Sequence, residues 1–226
     1  MNENELENEQ NFFRTQFQID RIAFFSDAVI AIAITLLVLE IKIPVIPKHV
    51  SFAEFFNESG DLIIQQLAAL YICFVAIGGL WLHHHELFEF VTGYNKRLIK
   101  TNLYFLFTVI VLPLSISFNM NGDNQAEVRI LVLIVNLLLA HVTFYRMLLI
   151  ISHRKNVFHN LKAIAKISSI KQEILYISVT LLLVCIVAMV SLKFFYLPFF
   201  ILPIRRAIIQ YKKYRTTGSR KEATVK

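Results

Sequence analysis

The sequence predicts an all-α membrane protein with six transmembrane helices. Hydrophobic residues make up 56% of the chain and charged residues only 17%, which is more apolar than a soluble domain of this length usually is. Windows of about 20 apolar residues recur, and at about 1.5 Å per residue each can cross a hydrocarbon core of about 30 Å. The bilayer is therefore the expected solvent of most of the chain.

The first span is expected over residues 17–43. It follows a polar N-terminal tail, residues 1–16, which has almost nothing to bury and is expected to be loosely structured. Pro44 and Pro47 end the apolar run, because proline removes a backbone donor.

The second and third spans flank a polar stretch, residues 83–100. The second is expected to begin near Leu62, after a connection rich in acidic residues, and the third to cover about 98–118. A kink is expected at Pro113, whose missing N–H frees a backbone carbonyl.

Three further spans complete the six-helix domain, which is expected over residues 17–210. The fourth span covers about 128–151 and follows a turn rich in Gly and Asn. A basic connection with a possible short interfacial helix, "AIAKISSI", precedes the fifth span at about 174–192. The sixth span covers about 194–209, and a basic tail, residues 211–226, follows it.

The distribution of basic residues predicts the orientation. With six spans both termini lie on one face, and that face receives 19 of the 23 Lys and Arg residues. Basic loops stay on the cytoplasmic side, so both termini are expected to be cytoplasmic. The net charge of +7 is accordingly attributed to topology and to contact with anionic lipid head groups, and not to binding of nucleic acid.

Polar side chains inside the first span need partners. An ionisable group at the centre of a membrane helix costs about 2.5 to 3.5 kcal/mol on insertion scales, and Asp27 lies about one turn inside the apolar run. Arg21 is six residues earlier and so lies on a different face of the helix. The candidate partners are polar residues near the same membrane boundary: Trp81, His83, His84, His85, Asn102 and Tyr104.

Two interpretations of these groups remain open. In one, Arg21, Ser26 and Asp27 join a histidine and Asn102 in a buried network that satisfies every member. In the other, Arg21 and Asp27 merely extend to the membrane interface.

The histidines also admit a metal site or an enzyme. His85 and Glu89 are spaced i, i+4, so both could bind one metal ion. No second pair of ligands at matching spacing appears, so no metal site is expected. Glu86 with Glu89 is the one acidic pair beside the histidines that a membrane enzyme would use. No enzyme activity is expected.

A stripe of four residues follows Asp27 on one face of the first span. Ile32, Thr35, Leu36 and Leu39 obey the i, i+3, i+4, i+7 spacing of a helix face. From spacing alone the stripe is a packing surface, or else a narrow hydrophobic constriction with one hydroxyl layer.

The start of the first span resembles a known family. Arg21, Phe25, Ser26 and Asp27 reproduce the RxxxFSD signature of the transmembrane-protein-175 potassium channel family, and "AVIAIAITLLVLEI" resembles that family's first helix. The segments "WLHHH" and "NLYFLF" are similar to further family features. The resemblance implies a homotetramer of single-repeat chains, as in prokaryotic members, with the first helices lining a pore around a fourfold axis.

The resemblance also implies roles for individual residues. Ile32 takes the position of the bulky constriction, Thr35 that of a hydroxyl layer linked with potassium preference, and Leu36 and Leu39 those of further apolar pore positions. A structural network that holds the pore helix is implied for seven residues: Arg21, Phe25, Ser26, Asp27, Trp81, His84 and Asn102. Charge placement alone suggests that Glu40 concentrates cations at the pore mouth.

The expected function is that of a potassium-permeable channel subunit with passive conduction. No cofactor is expected, the permeant ion is K⁺, and the partners are further copies of the chain and membrane lipids in a prokaryotic plasma membrane. The alternative is a secondary transporter or a proton pathway that uses Asp27 and the histidines of the second span.

Overall fold

The computed structural model describes residues 3–42, 49, 51–91, 93, 95–120, 126–153 and 161–190. Over these ranges the regular structure is helical: α1 (Glu3–Leu36), a 3₁₀ turn (Leu37–Glu40), α2 (Phe52–Phe88), α3 (Lys96–Met120), α4 (Ala126–Ser152) and α5 (Leu161–Val190). In this part of the chain, five helices are long and apolar enough to cross a membrane. The prediction of an all-α, multi-pass membrane protein is confirmed to that extent. The predicted sixth span and basic tail lie outside the described residues.

Helix α1 begins at Glu3, far ahead of its apolar part. The prediction that residues 1–16 are loosely structured was therefore wrong from Glu3 onward. Glu, Leu and Gln are good helix formers, and carboxylates near a helix N-terminus interact favourably with its dipole. A polar segment without a core to bury can thus continue a helix that the membrane segment already nucleates.

Helix α2 also begins earlier than expected. The Ser51 hydroxyl accepts a hydrogen bond from the Glu54 N–H at 3.3 Å, and the Glu54 carboxylate accepts one from the Ser51 N–H at 2.9 Å. This capping box satisfies two free donors and starts the helix at Phe52 instead of Leu62.

Helix α5 is continuous where a separate interfacial helix was predicted. The segment "AIAKISSI" forms its first turns, so that part of the prediction was wrong. No Gly or Pro interrupts the helix, and buried Ala163, Ile167, Ile170 and Ile174 follow one another at helical spacing.

Helices α3 and α4 form the centre of the packing. Helix α3 packs along α4, α4 along α5, and α1 lies on α3 with lighter contact to α2. Near the C-terminal end of α2 a stack of aromatic rings fills the core. The centroid of the His84 ring lies 4.4 Å from that of Phe88 and 5.5 Å from that of Phe105, and the Phe105 centroid lies 5.5 Å from that of Phe144. The buried imidazole is thus held by aromatic faces from two helices.

A buried amide joins α4 to α3 beside Pro113. Oriented so that both ends are satisfied, the Asn136 amide accepts from the Leu112 N–H at 3.2 Å and donates to the Thr108 carbonyl at 3.2 Å. It also accepts from the Ser115 hydroxyl at 3.0 Å. Thr108 and Leu112 are a pair that a regular helix joins directly, so the amide bridges the backbone next to the proline.

Replacement of Asn136 by leucine should destabilise the protein by about 1–3 kcal/mol, since it removes the hydrogen bonds that this buried amide makes to α3. The apparent Tm of the purified protein in detergent measures this loss. Val135→Ala, at an exposed position on the same helix, serves as the control and should change little. An Asn136→Leu protein as stable as the wild type would show that the amide bridge contributes nothing.

Candidate functional site

A chain of buried hydrogen bonds ties α1 to α3 and α2. Asn102 donates through Nδ2 to the Ser26 hydroxyl at 2.8 Å, and its Oδ1 lies 2.9 Å from His84 Nε2. Ser26 in turn donates to the Ile22 carbonyl at 2.8 Å. All three polar side chains are at most 1% exposed. Because Asn102 Oδ1 is an acceptor, the His84 tautomer that fits this chain carries its proton on Nε2.

A second hydrogen bond joins the next residue of α1, Asp27, to α2. The indole N–H of Trp81 donates to Asp27 Oδ1 at 2.9 Å, and Asp27 is half-buried. Asp27 is thus positioned by a neutral donor from α2.

A third bond holds the other end of the apolar segment. The Lys42 N–H, just beyond the 3₁₀ turn, donates to Gln66 Oε1 of α2 at 2.9 Å, and Gln66 is buried. The sequence analysis missed Gln66. The available signal was an amide inside an apolar stretch, since a buried amide needs a partner.

The structure brings five of the seven predicted network residues into contact. Ser26, His84 and Asn102 form one set, and Asp27 and Trp81 form another. Arg21 and Phe25 lie on the exposed face of α1, and the Arg21 guanidinium is 6.0 Å from the Phe17 ring.

The three adjacent histidines face different neighbours. His84 points to Asn102. His85 is exposed and its ring lies 5.8 Å from that of Trp81. His83 faces α5, where its Nε2 is 3.9 Å from a Glu173 oxygen. Tyr104, the other candidate partner, is 65% exposed.

The stripe on α1 is exposed among the helices that the structure describes. Ile32 is 59% exposed, Leu36 39% and Leu39 75%, whereas Ile30 and Leu37 are buried at 1%. Thr35 is exposed too, and its hydroxyl donates to the Ile32 carbonyl at 2.8 Å. The stripe is therefore exposed against α2 to α5, and its role as a constriction stays a prediction.

The far end of the stripe lies beyond the α-helix. Leu39 and Glu40 belong to the 3₁₀ turn, so the α-helical spacing used to place them ends at Leu36. Glu40 is half-buried.

The residues considered for metal binding or catalysis make other contacts. The Glu86 carboxylate accepts a hydrogen bond from Lys166 at 2.7 Å. Glu89 is the C-terminal cap residue of α2, and its backbone N–H donates to the Leu87 carbonyl. Across the ranges that the structure describes, no group of three His, Cys, Asp or Glu residues is arranged to hold a metal ion.

Comparisons with known proteins show that part of the chain is similar to one family. Residues 21–113 match the family described as Endosomal/lysosomal potassium channel TMEM175. A potassium channel of Streptomyces collinus is 37% identical over 93 residues, which are 41% of this chain and 43% of that protein. An endosomal/lysosomal proton channel TMEM175 of Gallus gallus is 34% identical over 100 residues, which are 42% of this chain and 20% of that protein. The chain thus aligns with less than half the length of these relatives.

The solved structures extend the likeness of the fold over most of the chain. The crystal structure of a lysosomal potassium-selective channel TMEM175 homolog from Chamaesiphon minutus matches with a TM-score of 0.62 and 24% identity, over 84% of this chain and 97% of that one. Residues 21–113 therefore match the TMEM175 family model, and the chain has a fold similar to that of a solved TMEM175 homolog.

Proposed function

We propose that the chain is a subunit of a potassium-permeable channel that conducts passively through a pore lined by α1. The observation that carries the proposal is the exposed stripe of α1, which lies within the family-matched residues 21–113. The names of the Streptomyces relative and of the Chamaesiphon structure support potassium as the permeant ion.

The stripe supplies a constriction when several copies face a common axis. Ile32 forms the narrowest ring in this proposal, and Thr35 adds a hydroxyl layer, with Leu36 and Leu39 beyond it. The distance from Ile32 to Leu39 is about 12 Å along the axis, at about 1.5 Å per residue in the α-helix and about 2.0 Å in the 3₁₀ turn. A hydrophobic neck of this kind controls ion passage by dewetting, so selectivity over sodium depends on pore width and the Thr35 hydroxyls.

The assembly proposed is a homotetramer in a prokaryotic plasma membrane. One copy of the RxxxFSD signature occurs in the sequence, so four chains supply four pore helices around a closed fourfold axis. Six spans with both termini cytoplasmic complete the proposed topology. Anionic lipids contact the basic loops, and no cofactor takes part.

The anchors of α1 act as a scaffold in this proposal. Ser26 and Asp27 fix the inner end of the apolar part of α1 against α2 and α3, and Gln66 fixes the chain just beyond its outer end. An apolar segment held at both ends keeps its exposed face in one direction, which a symmetric pore requires. Arg21 and Phe25, on the exposed face, are available to neighbouring subunits.

A proton pathway is the second candidate. The Gallus gallus relative is named a proton channel. Asp27 of α1 and His84 of α2 are titratable groups that take part in the bonds between these helices and α3. A pH-sensitive dye inside the liposomes separates the two functions, because a pure potassium channel leaves the internal pH unchanged when the membrane potential is clamped.

Potassium flux into liposomes containing the purified protein tests the proposed pore. Ile32→Asn should raise the flux, because a polar ring is more easily wetted, and a barrier lower by ~1.4 kcal/mol gives about tenfold. The same substitution at Ile72 of α2, which is 64% exposed, is the matched control and should leave the flux of the folded protein unchanged. Flux that requires a second solute or a proton gradient would overturn passive conduction.

Removal of the charge at Glu40 tests the pore mouth. Glu40→Gln should lower potassium conductance at low salt, since fewer cations collect at the mouth, and the difference should shrink at high salt as screening increases. Single-channel recordings at two potassium concentrations measure this. Equal conductance at both concentrations would remove Glu40 from the ion pathway.

Loss of the buried amide Asn102 tests the scaffold. Asn102→Leu leaves the buried His84 Nε2 without its partner, at about 1–3 kcal/mol for an unsatisfied group, and removes the bond between α3 and Ser26. It should lower the apparent Tm and the yield of tetramer. Size-exclusion chromatography and thermal melting measure both. Thr101→Val is the control, because its hydroxyl bonds only to its own helix, at the Arg97 carbonyl. Stable tetramers with altered ion preference would contradict the scaffold role.

A further inference from the structure

A second polar cluster lies on a different face of α2 from the α1 anchors. His83 stands between two carboxylates: its Nδ1 is 3.9 Å from a Glu86 oxygen, and its Nε2 is 3.9 Å from a Glu173 oxygen of α5. Lys166, also on α5, donates to Glu86 at 2.7 Å. The cluster therefore connects α2 to α5 through side chains alone.

The His83 ring is enclosed but incompletely bonded. Its side chain is 18% exposed, and the buried Nδ1 has no hydrogen-bond partner. The ring of Phe144 from α4 lies 6.4 Å away, centroid to centroid. A neutral imidazole in this place leaves a polar atom unsatisfied, which costs free energy.

The charges around His83 favour a cation. On α2 the neighbouring charged group is Glu86, with Glu89 one turn further along. On α5 Lys166 interacts electrostatically with Glu86, Glu89 and Glu173. On α4 the titratable neighbour is His141, which is buried and interacts electrostatically with His83. Glu86 and Glu173 each place a carboxylate oxygen 3.9 Å from a ring nitrogen of His83, so a positive charge on the ring is favoured there.

We propose that His83, Glu86 and Glu173 form a proton-binding site that ties α2 to α5. A proton taken up from water makes both ring nitrogens donors, and the two 3.9 Å approaches become ion pairs to carboxylates on two helices. No covalent bond other than the N–H bond changes. Histidine is the side chain whose charge changes between about pH 5 and pH 8, so the tie forms on mild acidification.

The site is placed to act on α1 through α2. The turn of α2 that carries His83 also carries Trp81 and His84, which contact Asp27 of α1 and Asn102 of α3. A proton that fixes this turn against α5 therefore limits how far α2 can shift relative to the anchors. The site itself does not depend on the proposed conduction, because it involves none of the stripe residues.

A double-mutant cycle tests the site. The apparent Tm of the full-length protein in detergent is measured for wild type, His83→Gln, Glu173→Gln and the double variant, at about pH 5.5 and about pH 8. The coupling between the two positions should be about 2–4 °C at the lower pH and should vanish at the higher pH. His153→Gln, at an exposed histidine at the end of α4, is the matched control and should show no coupling with Glu173→Gln at either pH.

A permanently charged variant covers the case in which His83→Gln does not fold. His83→Lys should keep the tie at both pH values, so its apparent Tm should exceed that of the wild type at about pH 8 and match it at about pH 5.5. Coupling of equal size at both pH values, coupling absent at both, or a His83→Lys protein with the wild-type pH dependence would each overturn the proposal.

Discussion

The hydrogen bond from Asn102 to the Ser26 hydroxyl is the contact on which the arrangement of α1 depends. Both groups are removed from water, so each must find a partner in the protein, and the observed placement of α1 against α3 brings them together. His84 extends the constraint to α2 because it meets the other end of the same amide. Apolar packing alone tolerates small rotations of a helix, whereas a hydroxyl and an amide at 2.8 Å do not. The rotational setting of α1, and hence the direction of its exposed stripe, follows from this polar contact.

The fold class and the membrane character could be predicted because they depend on composition and on segment length. Helix boundaries were less predictable. The start of α2 depends on the capping box of Ser51 and Glu54, a short local signal that stands inside a stretch whose acidic residues suggested a loop. In α5 the basic residues masked an apolar face that continues through "AIAKISSI" into the membrane segment. In both cases local helix chemistry outweighed the average polarity of the window.

The candidate site was predictable in its members but not in its pairing. Ser26, Asp27, Trp81, His84 and Asn102 are conspicuous because polar groups in apolar helices require partners. Which of three consecutive histidines meets Asn102 depends on the rotation of α2, since neighbouring residues point about 100° apart. Arg21 shows the same limit, because it lies on the exposed face of α1 beside Phe17 and apart from the buried contacts. Gln66 stood out only as an amide inside an apolar stretch, and its pairing was not predictable because its partner is a backbone N–H, which carries no sequence signal.

The length of α1 has a mechanical consequence. Its 34 residues correspond to about 51 Å, well beyond the roughly 30 Å of a hydrocarbon core, so the helix that carries the stripe continues as a polar rod outside its apolar part. Residues 3–16 and the stripe share one hydrogen-bonded backbone, without a proline or glycine between them to act as a hinge. Torque applied to the polar rod is therefore delivered to the stripe, and the bonds at Ser26 and Asp27 are the points that resist it.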